Sequence, residues 1–170
     1  LDGSGIPEEV NSTNRWTATG RTIYNNKGKV VKQYEPWFST THEYEGEDEL
    51  TQYGVSPFMH YDPVGRLIKT ELPDGTFSKV VFDAWKLENW DRNDTVLDSD
   101  WYTDRNSPDP AGSEPTNKEE RAAWLAAKHA GTPQVQHYDG LGRLFLTQDD
   151  NANANIYETR QKYDIAGNVL

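Results

Sequence analysis

The stretch His60-Tyr61-Asp62-Pro63-Val64-Gly65-Arg66-Leu67-Ile68-Lys69-Thr70-Glu71-Leu72-Pro73-Asp74-Gly75-Thr76 reads as a strand, a tight turn, a second strand and another turn. Pro63 presets φ for a turn and Gly65 tolerates φ > 0, so the chain can reverse between Tyr61 and Leu67. Asp62 can brace that reversal by accepting hydrogen bonds from backbone N–H groups just ahead of it. Beyond it, Ile68, Thr70 and Leu72 share one face of a strand, and Pro73-Asp74-Gly75 turns the chain again. The pattern is that of a hairpin.

The unit recurs. Tyr138-Asp139-Gly140-Leu141-Gly142-Arg143-Leu144 keeps the aromatic, the acid, the glycine and the arginine at the same offsets as Tyr61, Asp62, Gly65 and Arg66. Tyr163-Asp164-Ile165-Ala166-Gly167-Asn168-Val169-Leu170 is a third copy, and Tyr24-Asn25-Asn26-Lys27-Gly28-Lys29-Val30 is a fourth with Asn in place of Asp. Tyr44 and Phe82-Asp83, which follow Tyr24 and Tyr61 by 20 and 21 residues, are weaker candidates. A period of about 20 residues with insertions follows, in the range of architectures whose units bury their faces on one another. The expected linkage between units is a ladder of rings, each tyrosine lying on its neighbour's ring with its hydroxyl wet or bonded.

These residues resemble the YD-repeat proteins, the bacterial Rhs family and the related B and C components of insecticidal Tc toxin complexes, the B component most of all. Tyr24 to Lys29 running on to Gln33-Tyr34-Glu35-Pro36-Trp37-Phe38, and Phe82-Asp83-Ala84-Trp85 followed by Trp90-Asp91 and Asn93-Asp94-Thr95-Val96, are similar to that group, so the likeness extends from about Trp16 onward. It implies a mainly β fold, a strip of antiparallel hairpins forming part of a hollow shell, and one inserted α-helix. It further implies a non-catalytic wall around a toxic C-terminal polypeptide. The implied partners are other YD-repeat segments, toxin-complex subunits and that polypeptide, and the implied location is secreted or cell-surface. Rhs-type parents cleave themselves at an acidic motif, but Asp139-Gly140-Leu141-Gly142 lacks its surrounding pattern, so no catalytic residue is carried over.

The chain has 170 residues, enough for one modest core. It lacks an initiator Met and stops inside a repeat, so it is expected to be a segment of a longer protein. Mean hydropathy is −0.92, yet 6 Trp, 9 Tyr and 5 Phe supply enough rings to build a core of aromatic and β-branched residues in strands. A formal charge of −11 argues against nucleic acid and anionic membranes as partners, and no apolar run approaches a bilayer span. The absence of Cys removes disulfides, thiolate catalysis and Cys-ligated zinc.

Residues 1–15 read as a linker or strand approach, 16–91 as repeat hairpins, 92–133 as an insertion, and 134–170 as hairpins again. Trp16 to Tyr24 alternates as a strand turned at Asn25 to Gly28 into Lys29 to Tyr34, and Pro36 ends the pairing because it cannot donate to a ladder. Glu43 to Glu49 reads as a solvated acidic loop. Thr76 to Asp83 and Lys86 to Asp91 make a further strand pair, and Arg92 to Asn117 reads as irregular. A helix is predicted over 118–130, capped by Thr116 or Asn117 and closed by Gly131 and Pro133, with Ala123, Trp124, Ala127 and Ala130 as its apolar stripe.

The acids between Asp91 and Asp109 have the oxygen chemistry of a calcium site, but they match no calcium loop. The run from Asp149 to Asn155 places Ala154 where glycine is required and Arg160 where the closing Glu belongs. His42, His60, His129 and His137 show no metal-binding spacing, and no Gly-x-Ser-x-Gly elbow is present. Neither cofactor nor metal is expected. Two other functions fit the composition: a cell-surface carbohydrate-binding repeat module stacking sugars on exposed rings, and a glycan hydrolase using the acidic loops.

Overall fold

A computed structural model of the chain describes residues 16–46, 56–152 and 155–170, so the linker reading of residues 1–15 lies outside it. Eleven strands form: β1 Trp16–Ala18, β2 Thr22–Tyr24, β3 Val30–Gln33, β4 Trp37–Ser39, β5 Phe58–Tyr61, β6 Leu67–Glu71, β7 Phe77–Phe82, β8 Lys86–Trp90, β9 Gln134–Tyr138, β10 Leu144–Asp150 and β11 Ile156–Arg160. Nine of them make one antiparallel sheet in the order β11-β10-β9-β8-β7-β6-β5-β3-β2, while β1 and β4 pair separately. The fold is mainly β.

Two local expectations change here. Trp16 to Tyr24 is not one strand, because Gly20 at φ +78 breaks it and sends β1 and β2 into different sheets. Nor does pairing end at Pro36: Trp37–Ser39 leaves β3 and pairs with β1 instead. Glu45, in the loop expected to be merely solvated, accepts from Trp37 Nε1 and Ser39 Oγ, and so anchors β4; residues 47–49 of that loop lie outside the described residues.

The register separates two faces. On one, rows run Phe58–Glu71–Phe77, His60–Lys69–Lys79–Trp90, Val81–Glu88–Val135–Gln148–Glu158 and Lys86–His137–Leu146–Arg160. Its charges pair along strands, as in Lys69–Glu71, Lys86–Glu88 and Arg160–Glu158, and Lys69 and Lys79 lie over the rings of Phe77 and Trp90. The opposite face carries Met59–Thr70–Ser78, Val80–Asn89–Gln134 and Phe82–Leu87–Gln136–Thr147, uncharged rows of which the second ends on Asp149, bonded to Gln134.

None of the nine strands contains a buried residue. The expected core of rings in strands is therefore absent, because a single-layer sheet has nothing stacked on either face to exclude water. The buried apolar residues are Tyr34, just past β3, and Val96, Tyr102, Ala123, Trp124 and Ala127, which all lie between β8 and β9. That segment leaves the sheet between two neighbouring strands. It carries a 3₁₀ turn at Val96–Asp98, α1 at Asp100–Thr103 and α2 at Lys118–Ala127.

Arg92 to Asn117 is thus less irregular than expected. Ser99 caps α1 by accepting from the Tyr102 N–H, a four-residue helix too short to show an apolar period. The cap of α2 is Asn117, whose side chain accepts from the Glu119 N–H. α2 stops at Ala127 rather than Ala130 because Lys128, His129 and Ala130 donate to carbonyls three residues back, tightening the last turn before Gly131.

The segment is tied down at both ends. Thr95 Oγ1 donates to the Phe77 carbonyl, and Asp94 Oδ1 accepts from the N–H and hydroxyl of Thr132. α1 also lies against the β6–β7 turn so closely that a Cβ at Gly75 would stand 2.5 Å from Asp100 Cβ. Gly75→Ala should therefore destabilise by about 1–3 kcal/mol in urea unfolding, through both that contact and its φ of +75. Gly142→Val, at φ +74 with open space around the new Cβ, isolates the dihedral cost and should lose about 1–2 kcal/mol. Unchanged midpoints for both would show the turns to be wrongly assigned.

Candidate functional site

The repeated turns are the feature around which the chain is built. In three of the four, an Asp or Asn at the strand end receives two backbone N–H groups on Oδ1. Asn25 accepts from Lys27 and Lys29 at 2.9 and 3.0 Å, Asp62 from Val64 and Arg66 at 3.0 and 2.9 Å, and Asp139 from Leu141 and Arg143 at 2.9 and 3.0 Å. Asp164 accepts from Asn168 at 2.8 Å. The glycine N–H closes back on the same residue's carbonyl at 2.9–3.1 Å in all four: Gly28 to Asn25, Gly65 to Asp62, Gly142 to Asp139 and Gly167 to Asp164. This is a type I turn followed by a left-handed glycine, and the register shifts where it meets β2, β5 and β10 are its bulges.

Because the strands alternate in direction, the turns at Asn25, Asp62, Asp83, Asp139 and Asp164 all fall on one edge of the sheet. Phe82-Asp83 takes its place in this row through a shorter turn in which the Asp83 N–H donates to Lys86 O. Tyr44 does not: it is exposed and its ring receives Arg21 instead. Adjacent turns touch, as where Lys27 Nζ donates to the Pro63 carbonyl at 2.6 Å.

The linkage between units differs from the expected ring ladder. Among the described residues the ring pairs are Trp16–His42, Tyr34–Trp37, Phe58–His60 and His137–Phe145, with no repeat tyrosine among them. Successive hairpins hold equivalent points about 10 Å apart, twice the strand spacing, which is too far for ring contact. The gap is bridged by longer groups. Tyr61 Oη donates to Val30 O at 2.8 Å and Tyr163 Oη to Leu144 O at 2.5 Å, in each case the sixth residue after the preceding unit's tyrosine.

Arginine completes the bridge. Arg66 Nε donates to Asp62 Oδ2 at 2.7 Å while its guanidinium lies 4.1 Å from the Phe82 ring centre. Arg143 does the same with Asp139 at 2.7 Å and Tyr163 at 4.9 Å. Recurrence in the sequence marks Arg66 and Arg143 as repeat residues but does not reveal that each reaches the next unit's ring. Tyr24 is exposed, and Tyr138 Oη turns to Gln136 within its own strand.

The turn acids are held ionised. The Arg143 guanidinium, its N–H and that of Leu141 put Asp139 below the usual carboxylate range, and Asn168 does the same for Asp164. At Asp62, desolvation pushes upward, but the Arg66 N–H and guanidinium and the Val64 N–H outweigh it and leave the group lowered.

The acids considered for calcium serve the chain's own turns. Asp91 Oδ1 accepts from the N–H groups of Asn93 and Asp94, and Asp94 Oδ2 accepts from the Asp91 N–H. Asp149 Oδ1 accepts from Gln134, while Asn153 and Ala154 of its loop lie outside the described residues. Among the described residues no three His, Asp or Glu side chains converge as a metal site would require. His42, His60 and His137 sit separately, against Trp16, Glu71 and Gln148. His129 lines a groove of about 600 Å³ with Thr132 and Asp94, over a floor including Ile68, Ser78 and Asn89. No described helix is long and apolar enough to cross a membrane.

These features define a class: an antiparallel hairpin-repeat strip with braced turns along one edge. No protein-family model matches the chain, and no curated protein sequence does. Solved structures do. The TcdB2-TccC3 crystal structure matches 92% of the chain at 30% identity with a TM-score of 0.67. The same complex without its hypervariable C-terminal region matches 93% at 28% identity and 0.69, and the Photorhabdus luminescens Tc holotoxin pore 91% at 28% and 0.67. Over nearly its whole length the chain is similar to a stretch of these Tc toxin complexes, and it spans 7% of the length of each of these solved chains.

The turn acids carry a pH dependence. Their folded pKa values lie below the unfolded value of about 3.9, so their stabilisation is complete above that pH and is lost as pH falls through the folded values. Asp139→Asn, the form the first unit already has at Asn25, keeps the Oδ1 acceptor and loses the ion pair with Arg143. Its melting temperature should lie below wild type at about pH 6 and converge with it near pH 2. Asp139→Ala should melt lower than both at either pH. Parallel curves for wild type and Asp139→Asn would disprove the ion-pair contribution.

Proposed function

We propose that this chain is a non-catalytic wall segment of a secreted toxin-complex shell, and that the shell encloses a toxic C-terminal polypeptide of its parent. The observation that carries the reading is the single-layer nine-stranded sheet, closed by hydrogen bonds from β2 to β11 without a buried strand residue. A sheet of this kind separates two volumes. The solved complexes it resembles are named for a toxin pore and for a hypervariable C-terminal region, which supports a wall beside a variable cargo.

The mechanism is steric. Backbone ladders join each strand to the next and oppose passage of a protease loop toward an enclosed chain, and the braced turns keep one edge in register. The repeat residues Tyr24, Asn25, Gly28, Tyr61, Asp62, Gly65, Arg66, Tyr138, Asp139, Gly142, Arg143, Tyr163, Asp164 and Gly167 act here as structure. Its partners in this reading are neighbouring repeat segments, toxin-complex subunits and the cargo.

The test uses the parent polypeptide. Its C-terminal segment should survive trypsin at neutral pH while the wall is folded and be digested at least about tenfold faster once the wall is opened in urea. Equal digestion in both states would refute enclosure. Release of reducing sugar from any glycan by the present chain would refute the non-catalytic reading.

A further inference from the structure

The nine-stranded sheet is not joined with equal strength along its length. Among the described residues every other pair of neighbouring strands is matched over three to five residue pairs, whereas β3 meets β5 through Lys32↔Phe58 alone. Continuing that register would set Pro57 opposite Gln33, and proline has no N–H to give a ladder. No short turn holds these two strands together either, since residues 34–57 run between them. The other joint crossed by a long segment, β8–β9, keeps four pairs and is clamped at its base by Asp94 and Thr132.

The remaining bonds that cross the β3–β5 joint come from side chains. Tyr61 Oη donates to Val30 O at 2.8 Å and Lys27 Nζ to Pro63 O at 2.6 Å, and among the described residues no ion pair spans it. Clefts open at both its ends, one of about 370 Å³ beside Lys32, Ser56 and Phe58, the other of about 240 Å³ between the turns at Asn25 and Asp62. Residues 16–46, by contrast, hold to one another. Buried Tyr34 donates its N–H to Arg21 O and lies against Trp37, Arg21 donates to Glu45 O at 2.5 Å, and β1 pairs with β4.

We propose that the β3–β5 joint is a hinge about which residues 16–46 swing as one body against β5–β11, and that the strip parts here before it parts elsewhere. One ladder pair fixes a position without fixing an angle, and the Tyr61 and Lys27 side chains can follow a moving partner. In a wall this is where a passage would first form, a consequence that rests on the enclosure reading above. The hinge itself belongs to the strip and is tested without the cargo.

The chain contains no Cys, so pairs of introduced cysteines can carry spin labels for distance measurement by double electron–electron resonance. Gln33→Cys/Thr159→Cys spans the joint across seven strand spacings, about 34 Å, and Leu67→Cys/Thr159→Cys spans five, about 24 Å, without crossing it. Both spans include β8–β9, which serves as the clamped control. With wild-type circular dichroism spectra, the first pair should give a distance distribution at least about twice as wide as the second. Tyr61→Phe, which removes the hydroxyl bonded to Val30, should widen the first and leave the second unchanged. In urea below the unfolding midpoint the first should broaden while the second holds. Equal widths, a first pair insensitive to Tyr61→Phe, or two pairs that broaden together in urea would each overturn the hinge.

Discussion

The structure depends on one oxygen per repeat. Oδ1 of Asp62, Asp139 or Asn25 gathers two N–H groups that the turn would otherwise leave unpaired, and the following glycine takes the positive φ that brings them together. The result is a bulged turn of fixed length, which sets the register of both flanking strands. Once register is fixed, the repeat tyrosines Tyr24, Tyr61, Tyr138 and Tyr163 end at the same edge, and Arg66 and Arg143 reach the ring of the next unit. A change at the acid or the glycine would therefore be felt across hairpins.

That constraint explains how the sheet can persist without a core of its own. A solitary hairpin is marginal in water, but a strip of nine strands spreads its ordering cost over many neighbours, each contributing ladder bonds and cross-strand pairs. Lysines lie over rings on one face, so charged side chains supply part of the packing that aliphatic residues give elsewhere. Among the described residues the buried apolar cluster lies in the segment between β8 and β9, where Ala123 and Ala127 let α2 approach Val96 and Tyr102 closely. Asp94, bonded to Thr132, closes that segment at its base and lets β8 and β9 pair across it.

The two faces have different chemistry. One carries a lattice of paired charges, the other mostly amides, hydroxyls and apolar groups with Asp149 at its margin, a division imposed by the alternation of side chains along each strand. The sheet thus presents two chemically different surfaces.

The sequence by itself determined the repeating hairpins, because Tyr, Asp and Gly at fixed offsets act within five residues and need no distant partner. It also located α2 through Asn117 and the Ala-Trp-Ala stripe, and the row of turns through simple recurrence. Only the tertiary structure decided what joins one unit to the next: Arg66 on Phe82 and Tyr163 on the Leu144 carbonyl, contacts across hairpins whose spacing no local pattern encodes. It also decided that β1 pairs with β4, that Ser99 starts a second helix, and that the buried residues lie outside the sheet. The physical reason is range: a turn is settled by hydrogen bonds among neighbours in the chain, whereas burial depends on which surfaces the folded chain leaves facing each other.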